Sequence, residues 1–186
     1  MDKAIFLDRD GVINVEKKHF LESANKIVEG FIHKKEDFEF LEGAIEGLKL
    51  LSKSDYKIII ITNQSGIARG YFSEEDVNKL NQYMLDIFKE NDIRIDDIFY
   101  CTHYPPITGE CDCRKPKIGM IKKAKEKYDL DLKNSYFIGD SDRDIENGKN
   151  AGGVTILIDN GIREHKIKAD YTVKNLYLAA KLILNS

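Results

Sequence analysis

Two aspartates near the start of the chain, Asp8 and Asp10, are the side chains best suited to chemistry. They follow an apolar run that ends at Leu7, and in an extended backbone residues two apart face the same side. Two carboxylates held this close repel each other, so a divalent cation is expected beside them. Phosphoryl transfer needs a nucleophile, a proton donor for the leaving oxygen, a divalent cation and positive groups on the phosphate oxygens. The pair could supply the first two and help to bind the third.

The other groups that this chemistry needs follow further apolar runs. Asp140 could supply another oxygen ligand for the cation, and Asp144, one helical turn later, could orient it. Hydroxyl and main-chain N–H groups in Thr62-Asn63-Gln64-Ser65 suit a phosphate. Lys115 adds a point charge, and Arg114 adds a planar fork for a second anion. The candidate phosphate and substrate contacts are Thr62, Asn63, Ser65, Arg114 and Lys115.

Each of these residues has a plainer interpretation when it stands alone. An aspartate after a strand usually stabilises a turn or caps a helix, a threonine can simply end a strand, and a lysine is usually solvated. The combination decides between the interpretations. Asp-x-Asp-Gly, Thr-Asn, Lys and Gly-Asp-x-x-x-Asp occur in this order after apolar runs, which rarely happens by chance. The order favours a magnesium-dependent phosphatase.

Short apolar runs rich in branched and aromatic residues alternate with helical patterns, as in a parallel sheet covered on both faces. The predicted strands are Lys3–Leu7, Tyr56–Ile61, Ile95–Tyr100, Ser135–Ile138, Val154–Ile158 and Tyr171–Val173. Ser73 and Asp76 mark the start of a helix, because apolar residues at helical spacing follow them. The sequence predicts an α/β fold with a Rossmann-like parallel sheet, and in such sheets ligands bind beyond the carboxyl ends of the strands.

The bulk composition limits the choice of function. The 186 residues, 42% of them hydrophobic and 33% charged, suit one globular domain spanning 1–186. The net charge of −3 argues against nucleic-acid binding through bulk electrostatics. No apolar run approaches the length of a membrane span, and the N-terminus lacks a signal-peptide pattern. We therefore expect a cytoplasmic monomer that acts on a small molecule and has no nucleic-acid or membrane partner.

All three cysteines lie in the segment 101–115, together with a histidine. Their pattern, Cys-x-His…Cys-x-Cys, is a complete tetrahedral ligand set for a structural zinc ion. Its members are Cys101, His103, Cys111 and Cys113. The alternatives are that the thiols act as small hydrophobic side chains or that the last two form a redox pair. Neither explains a polar, proline-containing loop that also holds a histidine, so the sequence predicts a structural Zn²⁺ that orders this zinc loop.

Three longer strings are specific enough to indicate a family. Phe6–Asn14, Thr62–Gly70 and Cys111–Pro116 resemble the D-glycero-D-manno-heptose 1,7-bisphosphate 7-phosphatases of the haloacid dehalogenase superfamily. The related histidinol phosphatases share much of the pattern, and the resemblance covers nearly the whole chain. It implies a minimal cap over the sheet, a zinc loop of the same pattern, and hydrolysis of a small sugar phosphate.

The resemblance also implies a role for each motif residue. Asp8 would become an aspartyl-phosphate, and Asp10 would act as general acid and then as general base for water. Thr62 and Lys115 would stabilise the transferring phosphoryl group, and Arg114 would recognise the rest of the substrate. The implied Mg²⁺ ligands are Asp8, Asp10 and Asp140. The implied reaction removes the 7-phosphate of the heptose bisphosphate during synthesis of nucleotide-activated heptose, a precursor of lipopolysaccharide or capsule.

The chain departs from this family in its first connection, which spans 15–41. Ile13-Asn14-Val15-Glu16 is separated from Gly30-Phe31-Ile32 by roughly a dozen extra residues, which is long for a plain connector. We expect the extra residues, 17–29, to form a flap over the site that affects substrate choice more than chemistry.

Three other functions remain open from the sequence. Histidinol phosphate or another small sugar phosphate is the nearest alternative substrate. A signalling receiver domain also uses aspartates, a threonine and a lysine on a parallel sheet. Its phosphorylated aspartate ends a later strand, however, where this chain has Tyr100 and Cys101. A zinc-organised phosphate-binding module without turnover is the non-enzyme alternative.

Overall fold

The computed structural model describes residues 1–159, 161 and 163–185. The strands in chain order are β1 (Ala4–Leu7), β2 (Lys18–Leu21), β3 (Lys26–Glu29), β4 (Lys57–Asn63), β5 (Asp97–Cys101), β6 (Tyr136–Gly139), β7 (Val154–Ile158) and β8 (Tyr171–Val173). Six of them form a parallel sheet in the order β5-β4-β1-β6-β7-β8. The chain adds strands on one side of β1 and then, from β6, on the other side, so the strand order reverses between β1 and β6. The predicted Rossmann-like fold is confirmed, and each predicted strand lies within two residues of its predicted bounds.

Helices cover both faces of the sheet. They are α1 (Ala44–Leu51), α2 (Glu74–Glu90), α3 (Pro105–Thr108), α4 (Gly119–Tyr128), α5 (Asp142–Ala151) and α6 (Leu176–Leu184), with 3-10 turns at Glu22–Ala24, Lys35–Asp37 and Leu132–Asn134. The predicted cap begins α2: the Asp76 N–H donates to the Ser73 hydroxyl at 3.1 Å, and the Ser73 N–H donates to the Asp76 carboxylate at 2.8 Å. No helix of the described residues is long and apolar enough to cross a membrane.

The first strand, β1, lies between two hydrophobic layers. Ala4 and Phe6 pack with α4 on one face, whereas Ile5 and Leu7 pack with α1, α2 and α6 on the other. All four side chains are fully buried, as the alternation of side chains along a strand requires. The end of β1, which Asp8 follows directly, is therefore fixed by packing on both faces of the sheet.

The connection 15–41 contains an antiparallel hairpin, β2–β3, that the sequence did not predict as strands. Each strand has four residues, which is too short for a clear alternating pattern. Leu21 and Val28 face inward and are buried, whereas Phe20 and Ile27, paired across the strands, are 57% and 71% exposed. The inserted residues thus form ordered structure beside the sheet.

The zinc loop also contains an element that the sequence did not predict. Its residues 105–108 form α3, a single helical turn that begins with Pro105 and Pro106. Proline suits the first turn of a helix because its missing N–H would have no intrahelical partner there. The turn is too short to appear as a periodic pattern.

Candidate active site

The polar segments after β1, β4 and β6 meet at one edge of the sheet, where the strand order reverses. Such reversals create a crevice beyond the carboxyl ends of the strands. A cavity of about 240 Å³ lies there, and it is lined by all of the predicted catalytic and substrate residues: Asp8, Asp10, Thr62, Asn63, Ser65, Arg114 and Lys115. A larger cavity, about 600 Å³, is lined in part by Gly11 but by none of these residues. The smaller one is therefore the candidate active site, and we call it the aspartate cavity.

Lys115 is the electrostatic centre of this site. Its side chain is 2% exposed, and its ammonium nitrogen lies 2.9 Å from an oxygen of Asp8 and 2.7 Å from an oxygen of Asp144. It also donates to the main-chain carbonyl of Ile61 at 3.0 Å. Burial opposes the charged amine, but Asp144 and Asp8 outweigh that effect and raise the pKa of Lys115. A fixed positive charge therefore lies directly beside the predicted nucleophile.

Asn63, at the end of β4, holds the main chain of Lys115. The Lys115 N–H donates to the Asn63 side-chain oxygen at 3.1 Å, and the Asn63 amide donates to the Lys115 carbonyl at 3.3 Å. Asn63 lines the aspartate cavity, yet both ends of its amide are engaged by Lys115. Thr62 is 1% exposed and accepts a hydrogen bond from Gln64 at 2.9 Å. Both strand-end residues therefore belong to a preorganised wall of the cavity.

Asp10 is held by nitrogen donors on three sides. Arg9 donates to both of its carboxylate oxygens at 3.1 Å, Asn14 donates to one at 3.0 Å, and Gln64 donates to the other at 2.9 Å. Arg9 is fully buried and also donates to the Ile32 carbonyl at 2.9 Å. These bonds fix the Asp10 carboxylate in one orientation.

The carboxylates of Asp8, Asp140 and Asp144 form the acidic cluster of the site. One oxygen from each lies within 4.8 Å of the others. Opposite oxygens around Mg²⁺ are about 4.2 Å apart, so small movements would let this cluster hold the ion. The predicted magnesium set is brought together only in part, because the Asp10 carboxylate is outside this cluster and engaged by its own donors.

Two carboxylates of the acidic cluster, Asp8 and Asp140, hold protons more tightly than isolated carboxylates do. Burial raises the pKa of Asp8 well above its usual range, and Asp144 adds to the effect while Lys115 opposes it. Burial and then Asp144 raise the pKa of Asp140 to about 7. Arg163 limits this rise, since its guanidinium lies 2.5 Å from Asp140 and also pairs with Glu16. A divalent cation would favour the ionised forms of both Asp8 and Asp140.

Gly11 lets the main chain pass close to Asp140. Its φ of +84° is a conformation that favours glycine. A Cβ atom at this position would lie 2.1 Å from a carboxylate oxygen of Asp140. The glycine of the Asp-x-Asp-Gly motif is therefore required by both the turn and the neighbouring carboxylate.

The four predicted zinc ligands converge in the zinc loop. Zinc–sulfur and zinc–nitrogen bonds of about 2.3 and 2.0 Å imply tetrahedral edges of roughly 3.8 Å between sulfurs and roughly 3.5 Å between sulfur and nitrogen. The Cys101–Cys111 and Cys113–Cys111 sulfurs are 3.8 and 3.6 Å apart, and His103 Nδ1 lies 3.6 and 3.4 Å from the sulfurs of Cys101 and Cys113. The remaining sulfur pair, at 2.9 Å, is closer. The donor set fits zinc, and all three cysteines are free thiols.

Comparison with known proteins agrees with this geometry. The family model for polynucleotide kinase 3 phosphatases matches residues 7–184. A D-glycero-alpha-D-manno-heptose-1,7-bisphosphate 7-phosphatase from Campylobacter jejuni is 46% identical over 185 residues, which cover 98% of this chain and 94% of that protein. The chain belongs to the haloacid dehalogenase-like heptose bisphosphate phosphatase family. The resemblance predicted from the sequence is thereby confirmed.

Other members of the heptose bisphosphate phosphatase family are similar along their whole length. A D-glycero-beta-D-manno-heptose-1,7-bisphosphate 7-phosphatase from Haemophilus ducreyi is 38% identical, with 94% of each chain covered. The crystal structure of a D,D-heptose 1,7-bisphosphate phosphatase from B. bronchiseptica contains magnesium and phosphate. It superposes with a TM-score of 0.82 at 30% identity and 98% coverage of both chains. The relatives thus include proteins named for either anomer of the sugar.

Several residues of this family member's site were not assigned a role from the sequence. Gln64 and Asn14 bind Asp10, and both lie inside strings that indicated the family. Arg9 lies between the two motif aspartates, but nothing local shows that it turns inward to Asp10. Arg163 approaches Asp140 from beyond β7, and no motif marks it.

Proposed function

We propose that this protein is a magnesium-dependent phosphatase that removes the 7-phosphate from D-glycero-D-manno-heptose 1,7-bisphosphate. The observation that carries the proposal is the buried contact of 2.9 Å between Lys115 and Asp8, in a cavity that Asp10 also lines. It is the arrangement that a carboxylate nucleophile, a neighbouring proton carrier and an anionic phosphoryl group require. The names of relatives 46% and 38% identical supply the substrate.

The residues act in two stages. Asp8 attacks phosphorus, the bond from phosphorus to the sugar oxygen breaks, and Asp10 gives that oxygen a proton. Asp10 then takes a proton from water, which attacks the aspartyl-phosphate, releases inorganic phosphate and regenerates Asp8. Lys115 and Thr62 stabilise the charge on the transferring group. The four hydrogen bonds to Asp10 support this assignment because they hold its carboxylate in place between the stages.

Magnesium would be held by Asp8 and Asp140, and by Asp10 as the sequence predicts. The ion supplies positive charge for the phosphoryl oxygens and offsets the repulsion among the carboxylates. Asp144 lies in the same acidic cluster, but its contact of 2.7 Å with Lys115 and its hydrogen bond of 2.5 Å from Ser141 leave it as the residue that positions the lysine. Its pKa stays low despite burial because of Lys115.

A structural zinc ion would hold the zinc loop through Cys101, His103, Cys111 and Cys113. The loop presents Arg114 directly after its last ligand, and Arg114 donates to the His103 carbonyl at 3.1 Å. Thiolates select zinc, whereas the aspartates select magnesium. Cys113→Ser should lower both zinc content and phosphatase activity. Elemental analysis of protein purified without a metal-affinity step tests the site, and active, reduced protein free of zinc would refute it.

The substrate is tested by a phosphate-release screen. The panel contains both anomers of the heptose bisphosphate, histidinol phosphate, other sugar phosphates and a 3′-phosphorylated oligonucleotide, each with Mg²⁺ and with EDTA. We expect one heptose bisphosphate to have the highest kcat/KM, with ³¹P NMR showing loss of the 7-phosphate alone. Asp8→Asn is the chemical control and should bind substrate without turnover. Turnover by this variant would exclude Asp8 as nucleophile, and a preference for histidinol phosphate or the oligonucleotide would exclude the proposed substrate.

A further inference from the structure

The six arginines of the chain divide into two groups. Three form ion pairs with carboxylates: Arg9, Arg94 and Arg163. Three others form no such pair among the residues that the structure describes: Arg69, Arg114 and Arg143. These three all line the aspartate cavity. The arginines that form no ion pair with a described carboxylate are therefore all found where a phosphorylated substrate would bind.

Arginine is also enriched over lysine among the residues that line this cavity. Lysines outnumber arginines in the chain by 23 to six, yet the cavity has three arginines and only Lys115. Lys115 is already engaged by two carboxylates and a carbonyl. A guanidinium presents a planar fork that matches two phosphate oxygens, which an ammonium cannot do. The lining thus has the chemistry of a second phosphate site beside the first.

The three arginines come from separate elements. Arg114 follows the zinc loop and is anchored by the His103 carbonyl. Arg69 stacks on Tyr104, with 3.6 Å from its guanidinium carbon to the ring centre. Stacking on a ring face orients a guanidinium and leaves its N–H edges available to an anion. Arg143 is exposed in the first turn of α5.

The charges of these side chains act on one another. Burial lowers the pKa of Arg114, and the positive charges of Arg143 and then Arg69 lower it further. Like charges gathered without carboxylate partners are unfavourable unless an anion joins them. A phosphate dianion between the three would relieve that repulsion, whereas a neutral sugar hydroxyl would not.

We propose that Arg69 and Arg143 complete, with Arg114, a subsite for the phosphate group that the enzyme does not transfer. The inference rests on the proposed function and extends it. The Asp8 end of the cavity handles the scissile phosphate, and the arginine subsite makes the enzyme select bisphosphates over monophosphates. A purely structural role for Arg69, joining its own loop to Tyr104, would instead affect every substrate alike.

The test compares a matched pair of substrates, heptose 1,7-bisphosphate and heptose 7-phosphate. In Arg69→Gln and in Arg143→Gln we expect KM for the bisphosphate to rise about tenfold, the loss of one charge-assisted contact worth about 1.4 kcal/mol. KM for the monophosphate should change less than about twofold, and kcat should hold for both. Lys79→Gln removes the same charge from exposed helix surface outside the cavity and should change neither substrate. Thermal denaturation checks that the variants are folded.

Two outcomes overturn the subsite: an equal rise in KM for both substrates, or no rise for the bisphosphate. Failure of the proposed function is visible separately, because wild-type protein would then release no phosphate from the bisphosphate. In that case calorimetric affinities for fructose 1,6-bisphosphate and fructose 6-phosphate replace KM. Loss of the preference for the bisphosphate in the two variants then supports the subsite, and an unchanged preference refutes it.

Discussion

Replacing Lys115 by methionine tests the electrostatic centre of the site. Methionine has a similar unbranched shape but carries no charge. The change removes contacts of 2.9 Å to Asp8 and 2.7 Å to Asp144 from a side chain that is 2% exposed. It leaves two carboxylates, 12% and 5% exposed, without their common counter-charge.

The burial of these contacts determines how much unfolding free energy the variant loses and how that loss depends on pH. Removing one partner of a buried ion pair costs about 3–5 kcal/mol, and we expect the lower end, about 3 kcal/mol at pH 7.5, because the carboxylates can take up protons. The pKa of Lys115 is higher in the folded protein than in the unfolded chain. Its ion pairs therefore stabilise the fold fully at any pH below the unfolded-state pKa, and this stabilisation is lost only as the pH rises through the folded-state pKa. In the variant the unpaired carboxylates are costly only while ionised. The difference from wild type should therefore shrink as pH falls to 5.5.

Urea denaturation in EDTA, at pH 7.5 and 5.5, measures this difference. The control is Lys79→Met, which breaks a contact of similar length, 2.7 Å to Glu75, on exposed helix surface. It should leave the unfolding free energy nearly unchanged, because exposed pairs contribute little. The Lys115 variant should also lack phosphatase activity. An unfolding free energy within about 1 kcal/mol of wild type at pH 7.5 would refute the reasoning, since it lies inside the ordinary range for point mutations.

Three further predictions concern the magnesium ligands and the hairpin β2–β3. Gly11→Ala should weaken Mg²⁺ binding at least tenfold by calorimetry, because its Cβ would lie 2.1 Å from an Asp140 oxygen at a φ of +84°; an unchanged affinity would contradict the placement. Since the pKa of Asp140 without metal is about 7 and the pKa of Asp8 is also raised, and magnesium needs both carboxylates ionised, the apparent affinity should fall at least tenfold per pH unit below 7; a flat profile from pH 5.5 to 8 excludes this. Replacing the hairpin residues 18–29 by a short glycine linker should alter the ranking of sugar phosphates while leaving hydrolysis of a small aryl phosphate intact; a folded variant with the parent ranking shows that the hairpin is no flap.

The elements predicted from the sequence are those whose signals are local. Val154–Ile158 and Tyr171–Val173 have the predicted bounds, because each is a short run of branched and aromatic residues. The capping box of Ser73 and Asp76 is a contact between residues three apart, so the sequence alone predicts it. The hairpin β2–β3 was not predicted because its four-residue strands are too short for a period to emerge.

The sequence by itself determined the chemical character of this protein. Each motif, whether it holds the aspartates, Thr62 or the zinc ligands, consists of consecutive or closely spaced residues that can be recognised locally. Parallel strands then bring their carboxyl ends to one edge of the sheet whatever the details of packing. Only the tertiary structure decided which charges meet. Lys115 reaches Asp144 from 29 residues away along the chain, and Arg163 reaches Asp140 from beyond another strand. Such pairings depend on the paths of whole loops, whose energies are sums of many small contacts, and no local pattern in the residues records which arrangement is lowest.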